Sequence, residues 1–471
     1  MLCKVKYGGF QVALAVGLIL LVYGSTVAQG GALGVAMVDA RHSGKQIPAS
    51  FIGFSHEWGG QGELMGQPGR TNPIYRQLLK NLTSYGAGPI VIRIGGNSAD
   101  SSGLPTSTTV PPMAQMATDT GAKFALDVNL GSNDVHLAVR QAQNYVANMP
   151  PGSLQAIEIG NEPDLFSQNG NRPSSYTFAN YLSDFGKWGA QISPVLPQGV
   201  KLMGPSWSLM KSLPNLPAFL AQESSNVSVI SEHYYGGTAK GYSSDYLLQD
   251  LPAARGAQAM ASSVILAHQA GMSFRIGEMN SVAGGGQVGV SDIFASALWS
   301  VDTLFEFANV GVDGVNFHGN SSTYALFTFD PSRRFTLLSV RPAYYGALFF
   351  QQATANSAKL LPVTLTTQAN LKVWATLDNK GVVRVTLINK DKTAQGDITI
   401  SLPGFGSGVV TRLSAANYQA TRGVTIGGQT FDGSADGTIQ GTAAGEPVTL
   451  SGGVYSVTLP PTSAALVTIQ P

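Results

Sequence analysis

Cysteine is almost absent from this sequence, since Cys3 is the one cysteine among 471 residues. No intramolecular disulfide can form, and a chain that loses its first residues has no thiolate for catalysis or metal binding. Charge is also scarce, because 28 lysine and arginine residues face 27 acidic residues, which gives a formal net charge of +1. This balance leaves almost no excess positive charge to attract DNA or RNA, so we expect no nucleic-acid partner.

Two common catalytic motifs are missing as well. The six histidines are scattered and form no His-Glu-x-x-His arrangement, so we predict no metal site and no other cofactor. No Gly-x-Ser-x-Gly nucleophile elbow follows a strand-like segment, which argues against a serine hydrolase.

Long hydrophobic runs are absent after the N-terminus, where Lys4 and Lys6 precede the apolar segment Phe10–Tyr23. This segment is shorter than the roughly 20 residues of a membrane-spanning helix, and the small residues Thr26–Ala28 are typical of a cleavage site. We therefore predict a signal peptide over residues 1–28, a secreted or periplasmic protein, and no stable membrane insertion after cleavage. An uncleaved N-terminal anchor is the alternative.

The sequence between residues 50 and 345 alternates short apolar segments with longer helical patterns. Helical patterns include Asn72–Tyr85, Val135–Asn148, Ser174–Ile192 and Ser291–Val310. Alternating strands and helices indicate an α/β fold, and eight such units close into a (β/α)₈ TIM barrel. A doubly wound sheet is the main alternative, but no glycine-rich phosphate loop follows the first strand. The eight strand-like segments are Phe51–Ser55, Ile90–Gly95, Lys123–Asn129, Ala156–Asn161, Lys201–Gly204, Val229–His233, Ser273–Gly277 and Gly314–Phe317.

The pattern changes over residues 346–471, where short alternating segments are separated by glycine, asparagine and aspartate turns. This pattern predicts a C-terminal antiparallel β-sandwich domain. Residues 29–49 contain one further strand-like segment, Gly34–Ala40, which we expect to join the sandwich rather than the barrel. Strand-like segments of the sandwich include Leu371–Thr376, Val382–Asn389, Asp397–Leu402 and Ser463–Ile469.

Glutamates follow two of the predicted barrel strands. The fourth strand ends in Ile159–Pro163, which contains Glu162, and the seventh ends in Ile276–Asn280, which contains Glu278. Active sites of such barrels lie at the carboxyl ends of the strands, so the two side chains are expected to converge. Two carboxyl groups that converge on one site are what glycoside hydrolysis requires.

Two neighbours of Glu162 refine this prediction. Pro163 restricts the preceding residue to extended backbone geometry, which favours a loop at Glu162. Glu158 lies within the strand, two positions before Gly160, so we expect it deeper in the barrel as a polar core residue.

At these residues the chain resembles the clan A retaining glycoside hydrolases, and more specifically glycoside hydrolase family 79, which contains β-glucuronidases and heparanase. Asn-Glu-Pro alone is typical of the whole clan, whereas the second glutamate followed by three glycines is more specific. The likeness covers the barrel and extends to the terminal β domain. The segments that carry it are Phe54–Gly60, Val91–Asp100, Ile157–Phe166, Glu232–Tyr235 and Gly277–Gly286.

The resemblance implies that Glu162 is the general acid/base and Glu278 the nucleophile. A retaining mechanism needs one carboxyl group that donates a proton and one that is ionised, about 5–5.5 Å apart. The resemblance also implies that Asn161 binds the sugar 2-hydroxyl.

Other strand ends supply further candidates. Arg93 on the second strand is expected beside the nucleophile, where its charge would keep that carboxylate ionised. His233 and Tyr235 share one face of the sixth strand, and both are candidates for binding the substrate. Of the two, we expect Tyr235 to donate its hydroxyl to Glu278. The remaining candidates for the barrel mouth are Glu57 and Asn97, for sugar hydroxyls, and His318 and Asn320 after the eighth strand.

A glycine-rich loop follows Glu278. Glycines let a ligand approach the backbone, and successive N–H groups can bind an anion. The resemblance implies that Gly284 and Gly285 bind the uronate carboxylate and that Tyr324 assists them. The chain differs from heparanase at Ala283, where heparanase has a tyrosine, so one aromatic wall is missing.

We therefore expect an exo-acting retaining β-glucuronidase whose partner is a carbohydrate, either a β-glucuronide glycan or a glycoconjugate. A heparanase-like endo-β-glucuronidase and a neutral-sugar β-glycosidase are alternatives on the same barrel. The loops show no dense cluster of basic residues for a polysulfated chain, which argues against the endo-acting enzyme. A carbohydrate-binding protein without catalysis is the alternative from another class, and the two glutamates argue against it.

Overall fold

The computed structural model describes residues 31–471. The predicted signal peptide lies outside the described residues and stays a prediction, as does export. Within residues 31–471, no helix combines the length and the apolar character needed to cross a bilayer.

Eight parallel strands form a closed barrel, which confirms the predicted fold class. They pair in chain order around the ring, and the eighth strand pairs with the first. Each predicted segment overlaps one of these strands, because a strand covered on both faces is recognisable as a continuous apolar run. From first to eighth they are Ile52–Glu57, Val91–Gly95, Lys123–Val128, Leu154–Ile159, Lys201–Trp207, Val227–Gly237, Ser273–Val282 and Gly314–His318.

Helices cover the outside of the barrel. Asn72 caps one of them, since its side chain accepts hydrogen bonds from the N–H groups of Ile74 and Tyr75. The four predicted helices are all present, and the differences at their ends are a few residues. The helices are Gln61–Met65, Pro73–Thr83, Val110–Thr120, Val135–Asn148, Phe166–Asn169, Phe178–Ile192, Leu216–Glu223, Leu251–Gln269, Ala295–Val310 and Pro342–Ala353.

The C-terminal domain is a sandwich of two sheets, which confirms the predicted class. The N-terminal strand Ala32–Val38 lies in the smaller sheet, antiparallel to Val363–Thr367 and parallel to Gly396–Ser401. Strand Val454–Leu459 completes that sheet. The larger sheet consists of Lys359–Leu361, Leu371–Leu377, Val383–Asn389, Gly408–Ser414, Thr425–Ile426, Glu446–Val448 and Ser463–Ile469.

The predicted boundary between residues 345 and 346 falls inside a helix and is wrong. Helix Pro342–Ala353 is almost wholly buried, and its Tyr344 hydroxyl donates to the carbonyl of Leu78 at 2.7 Å. Because this helix packs on the other barrel helices, the barrel domain ends after Ala353. The sequence gives no sign of a domain boundary there, since nearly every residue of this helix is buried and it has no polar face.

A buried ion pair joins the two domains. Lys390 of the sandwich places its ammonium 2.7 Å from Asp302 of the barrel helix Ala295–Val310, and both side chains are fully buried. Beside it, Trp374 stacks on Phe305 with ring centroids 5.5 Å apart. The interface therefore combines aromatic packing with a desolvated charge pair.

Replacing Lys390 by methionine is expected to destabilise the protein by about 3–5 kcal/mol, because Asp302 would remain buried without its cation. The midpoint of urea-induced unfolding measures this. Lys392→Met, which removes a half-exposed lysine nearby, serves as the control and should leave the midpoint almost unchanged. Adding Asp302→Leu to Lys390→Met should restore most of the loss, and no recovery would contradict the explanation.

Candidate active site

A cavity of about 590 Å³ opens at the carboxyl ends of the barrel strands. Both candidate catalytic glutamates line it, and in total the lining comes from the carboxyl ends of seven of the eight strands or from the loops after them. This is where barrels of this kind build their sites. The lining residues are Glu57, Asn97, Glu162, Leu165, Ser208, Tyr235, Glu278, Ala283, Gly284, Gly285, His318, Gly319, Asn320, Ser321, Ser322 and Tyr324.

Glu162 adopts a backbone conformation that the sequence did not predict. Its φ and ψ angles are 48° and 51°, in the left-handed region rather than the extended one. Two main-chain hydrogen bonds hold it there. Its N–H donates to the carbonyl of Ser206 at 3.1 Å, and its carbonyl accepts from the N–H of Leu165 at 2.9 Å. Such strain is tolerated where surrounding contacts fix it, and it is common at functional sites.

Glu278 is held by donors on both carboxylate oxygens. The Arg93 guanidinium donates to Oε2 at 2.8 Å, and the Tyr235 hydroxyl donates to Oε1. His318 Nδ1 lies 3.5 Å from Oε2. These contacts fix the orientation of the carboxylate at the base of the cavity.

The same contacts keep Glu278 ionised. Burial by itself raises the pKa of this carboxyl, but the attraction to His318, His233 and Arg93 outweighs it. The hydrogen bond from Tyr235 acts in the same direction, and the net result is a pKa well below the usual range. A carboxylate that stays ionised through the working pH range is suited to nucleophilic attack.

The two glutamates lie close together, with one carboxylate oxygen of each within 4.8 Å of the other. The structure differs from the prediction at His233, which was expected to bind substrate. His233 is fully buried, and its Nδ1 hydrogen-bonds to Glu162 Oε1 at 2.9 Å. Burial lowers the pKa of His233, but the Glu278 and Glu162 carboxylates raise it overall. His233 therefore orients Glu162 from behind instead of lining the cavity.

Arg93 connects the nucleophile to the barrel core. It donates through Nε to Glu158 Oε2 at 2.6 Å and through Nη2 to Asn161 Oδ1 at 2.8 Å. Both Arg93 and Glu158 are completely buried. One guanidinium thus orients two carboxylates and one amide, and Glu158 lies in the core as its strand position predicts.

Two further buried carboxyl groups fix the turn before Glu162. Asp127 accepts from the N–H of Gly160 at 2.9 Å, and Asp100 accepts from the N–H of Asn161 at 3.3 Å. Burial raises the pKa of Asp100 to about 8, and burial together with the Glu158 charge raises that of Asp127. Sequence analysis overlooked both residues. Their positions beside the ends of the second and third strands were the signal that could have identified them.

The predicted sugar-binding residues do not all reach the cavity. Glu57 and Asn97 line it, whereas Asn161 lies beneath Asn97 and donates to its Oδ1 at 3.1 Å. Ser98 donates its N–H to Glu57 at 3.0 Å, which fixes that carboxylate at the cavity wall. This contact uses one of the two N–H groups of the Asn161 amide, and the role of Asn161 toward the sugar 2-hydroxyl stays a prediction.

The glycines follow the seventh strand and Tyr324 follows the eighth, and all three residues line the cavity. Gly284 and Gly285 line the cavity at φ angles of 67° and 86°, which only glycine adopts easily. The Tyr324 ring stacks on Tyr235, with centroids 6.0 Å apart. Burial and then the Glu278 charge raise the pKa of Tyr324, so its hydroxyl remains a hydrogen-bond donor.

Sequence analysis missed several cavity-lining residues: Leu165, Ser208, Ser321 and Ser322. They lie in loops, where no periodic pattern distinguishes a lining residue from an exposed one. His318 and Asn320 do line the cavity, and His56 Nδ1 hydrogen-bonds to Asn320 Oδ1 at 3.1 Å.

One cluster in residues 31–471 has the composition of a metal site, namely Glu162, His233 and Glu278. Its three candidate ligand atoms lie within 4.8 Å of one another. His233 Nδ1 already bonds to Glu162, and Glu278 is already held by Arg93 and Tyr235. These hydrogen bonds account for the positions of both carboxyl groups. The expectation that the protein binds no metal stays a prediction.

Known proteins match this chain in both the barrel and the sandwich. Residues 373–466 match the glycosyl hydrolase family 79 C-terminal beta domain. This match confirms the resemblance to glycoside hydrolase family 79. Similarity to known proteins extends beyond the sandwich, because two curated relatives align along the barrel as well.

Two curated relatives are named Beta-glucuronidase. The protein from Aspergillus niger is 26% identical, over 89% of this chain and 90% of its own length. The protein from Neurospora crassa is 24% identical, over 78% of this chain and 77% of its own length. A crystal structure of a 4-O-alpha-L-rhamnosyl-beta-D-glucuronidase from Fusarium oxysporum 12S shares the fold. It has a TM-score of 0.76 and 23% identity, over 92% of this chain and 100% of that one.

Proposed function

We propose that this protein is an exo-acting β-glucuronidase that hydrolyses terminal β-linked glucuronic acid with retention of configuration. The observation that carries the mechanism is the spacing of Glu162 and Glu278, whose oxygens lie within 4.8 Å. Retaining glycosidases hold their carboxyl groups about 5–5.5 Å apart, whereas inverting enzymes need about 6.5–9.5 Å to admit a water. The names of the two curated relatives support the choice of glucuronic acid.

In the first step, a Glu278 oxygen attacks the anomeric carbon and forms a covalent ester with the sugar. The bond from that carbon to the glycosidic oxygen breaks, and Glu162 gives its proton to the departing oxygen. Arg93 and Tyr235 hold Glu278 in place for attack. His233, bonded to Glu162, keeps the acid aimed at the leaving group.

In the second step, Glu162 is ionised and acts as a base. It takes a proton from water as the water oxygen attacks the anomeric carbon, and the ester bond to Glu278 breaks. Glucuronic acid leaves with its original β configuration, and both glutamates return to their starting states. No metal or cofactor takes part in this proposed sequence of steps.

The glycine loop and Tyr324 line the cavity, and their hydrogen-bond donors support a role in binding the carboxylate of the sugar. Backbone N–H groups and a tyrosine hydroxyl are neutral donors, and bonds from such donors to an anion are stronger than bonds between neutral groups. We propose that Gly284, Gly285 and Tyr324 share this carboxylate. With a neutral sugar, these hydrogen-bond donors would have no carboxylate to bind.

The Tyr324→Phe variant tests this assignment. We expect it to lose about 10- to 100-fold in kcat/KM on p-nitrophenyl β-D-glucuronide, since a charge-assisted hydrogen bond contributes about 1.5–3 kcal/mol. Residual activity on the matched glucoside should change little, because that sugar has no carboxylate. An equal loss on both substrates would show that Tyr324 does not recognise the carboxylate.

A panel of aryl glycosides tests the proposed specificity as a whole. The wild-type protein should hydrolyse the glucuronide far faster than the glucoside, galactoside or xyloside. Preference for a neutral sugar would replace the glucuronidase proposal by a neutral-sugar β-glycosidase. Cleavage of a uronate oligosaccharide at an internal linkage, without release of terminal glucuronic acid, would instead favour an endo-acting enzyme.

A further inference from the structure

The glycine loop, Gly284–Gly286, has no side chains that could stabilise its conformation. All three glycines have positive φ angles, of 67°, 86° and 86°. Glycine loses more conformational freedom on folding than any other residue, so three in succession favour several backbone arrangements. Contacts from outside the loop must therefore select the observed one.

Lys240 supplies such a contact. It lies just after the sixth barrel strand, Val227–Gly237, and its ammonium donates to the carbonyl of Gly284 at 2.9 Å and to the carbonyl of Gly286. Gln287 joins the same two segments, because its side-chain oxygen accepts from the N–H groups of Gly241 at 2.9 Å and of the following residue.

These contacts determine where the N–H groups of the loop point. A peptide unit is planar and trans, so its N–H points opposite to its carbonyl. Since the carbonyl of Gly284 points toward Lys240, the N–H of Gly285 points away from it. Gly284 and Gly285 both line the catalytic cavity, whose lining does not include Lys240.

Lys240 also brings a positive charge that forms no ion pair within residues 31–471. Among residues 31–471, no carboxylate lies within 4.0 Å of its ammonium. The charge of Arg93, which contacts the nucleophile, is already paired with Glu158 and Glu278. Lys240 is therefore a cation that can attract an anionic sugar toward the glycine loop.

We propose that Lys240 is a specificity-determining positioning residue that makes this site select an anionic sugar over a neutral one. It acts by fixing the carbonyls of the glycine loop away from the substrate and by leaving a positive charge behind the loop. This inference rests on the proposed glucuronidase function. It adds a residue that sequence analysis did not single out, since no motif surrounds Lys240.

The test compares Lys240→Met with the wild-type protein on p-nitrophenyl β-D-glucuronide and p-nitrophenyl β-D-glucoside. We expect kcat/KM for the glucuronide to fall about 10-fold or more, mainly through KM, while the value for the glucoside stays constant. Lys240→Arg keeps the charge and should recover part of the loss. Lys392→Met removes an exposed lysine that pairs with Asp245, and it should leave kcat/KM for both substrates unchanged.

Salt provides a second readout. Added NaCl should weaken glucuronide binding in the wild-type protein more than in Lys240→Met, because screening acts on the charge that the variant has lost. Thermal unfolding of each variant checks the fold, and Lys240→Gln provides a second neutral variant if methionine destabilises the loop.

The outcomes separate this inference from the function on which it rests. If the wild-type protein does not prefer the glucuronide, the proposed function fails. If it does prefer the glucuronide and both neutral variants keep that preference, the role of Lys240 is overturned. An equal loss on both sugars would likewise overturn it, since Lys240 would then only stabilise the fold.

Discussion

Replacing Glu278 by glutamine is expected to reduce turnover of an aryl β-glucuronide by more than about 10⁴-fold, because the amide cannot form the covalent ester. Glutamine preserves the size of the side chain. Its oxygen can accept from Arg93, and its NH2 group can donate to the Tyr235 oxygen in place of the bond that Glu278 accepts. Binding of glucuronic acid should therefore survive. Steady-state kinetics on the variant measures the loss, and titration with the product measures the binding.

The control for this variant is another buried glutamate changed in the same way. Glu223 is buried between helices, where it accepts a hydrogen bond from Gln222 at 2.9 Å, far from the cavity. Glu223→Gln should retain nearly full activity. Near-normal turnover by Glu278→Gln on a glucuronide with a poor leaving group would show that the nucleophile is another residue.

Replacing Glu162 by glutamine is expected to produce a loss that depends on the leaving group. General acid catalysis contributes about 10²–10⁴-fold when the leaving oxygen must be protonated. An alkyl glucuronide should therefore lose that much or more, whereas a 2,4-dinitrophenyl glucuronide, which leaves without protonation, should form the covalent intermediate at nearly the normal rate. A burst of dinitrophenol followed by slow turnover would show that deglycosylation has become limiting.

Azide distinguishes the two glutamates further. In a Glu162→Ala variant, azide needs no general base and should attack the intermediate, giving a β-glucuronyl azide and faster turnover. A loss of the same size on both leaving groups, with no effect of azide, would contradict the acid/base role of Glu162.

Much of the fold and site follows from local sequence features. The apolar runs predict all eight barrel strands because a strand buried on both faces contains few polar residues. Glu162 and Glu278 are predictable because the barrel fold restricts chemistry to the strand ends. The contact of Tyr235 with Glu278 follows from strand alternation, which puts His233 and Tyr235 on one face.

Other features depend on contacts between segments that are distant in the sequence. The left-handed conformation of Glu162 results from its hydrogen bond to Ser206 on the next strand, which opposes the local preference set by Pro163. Lys240 meets the glycine loop 44 residues further along the chain, and neither segment carries a pattern that indicates the other. The boundary after Ala353 was missed because a helix buried on all sides has no amphipathic edge.

Proton NMR of the reaction as it proceeds shows whether the anomeric configuration is retained. We expect the first glucuronic acid released from a β-glucuronide to be the β anomer, and the α anomer to appear later through mutarotation. This result is required if Glu278 forms a covalent intermediate that water then attacks from the same face. Initial release of the α anomer would mean a single displacement by water, and it would contradict the roles assigned to both glutamates.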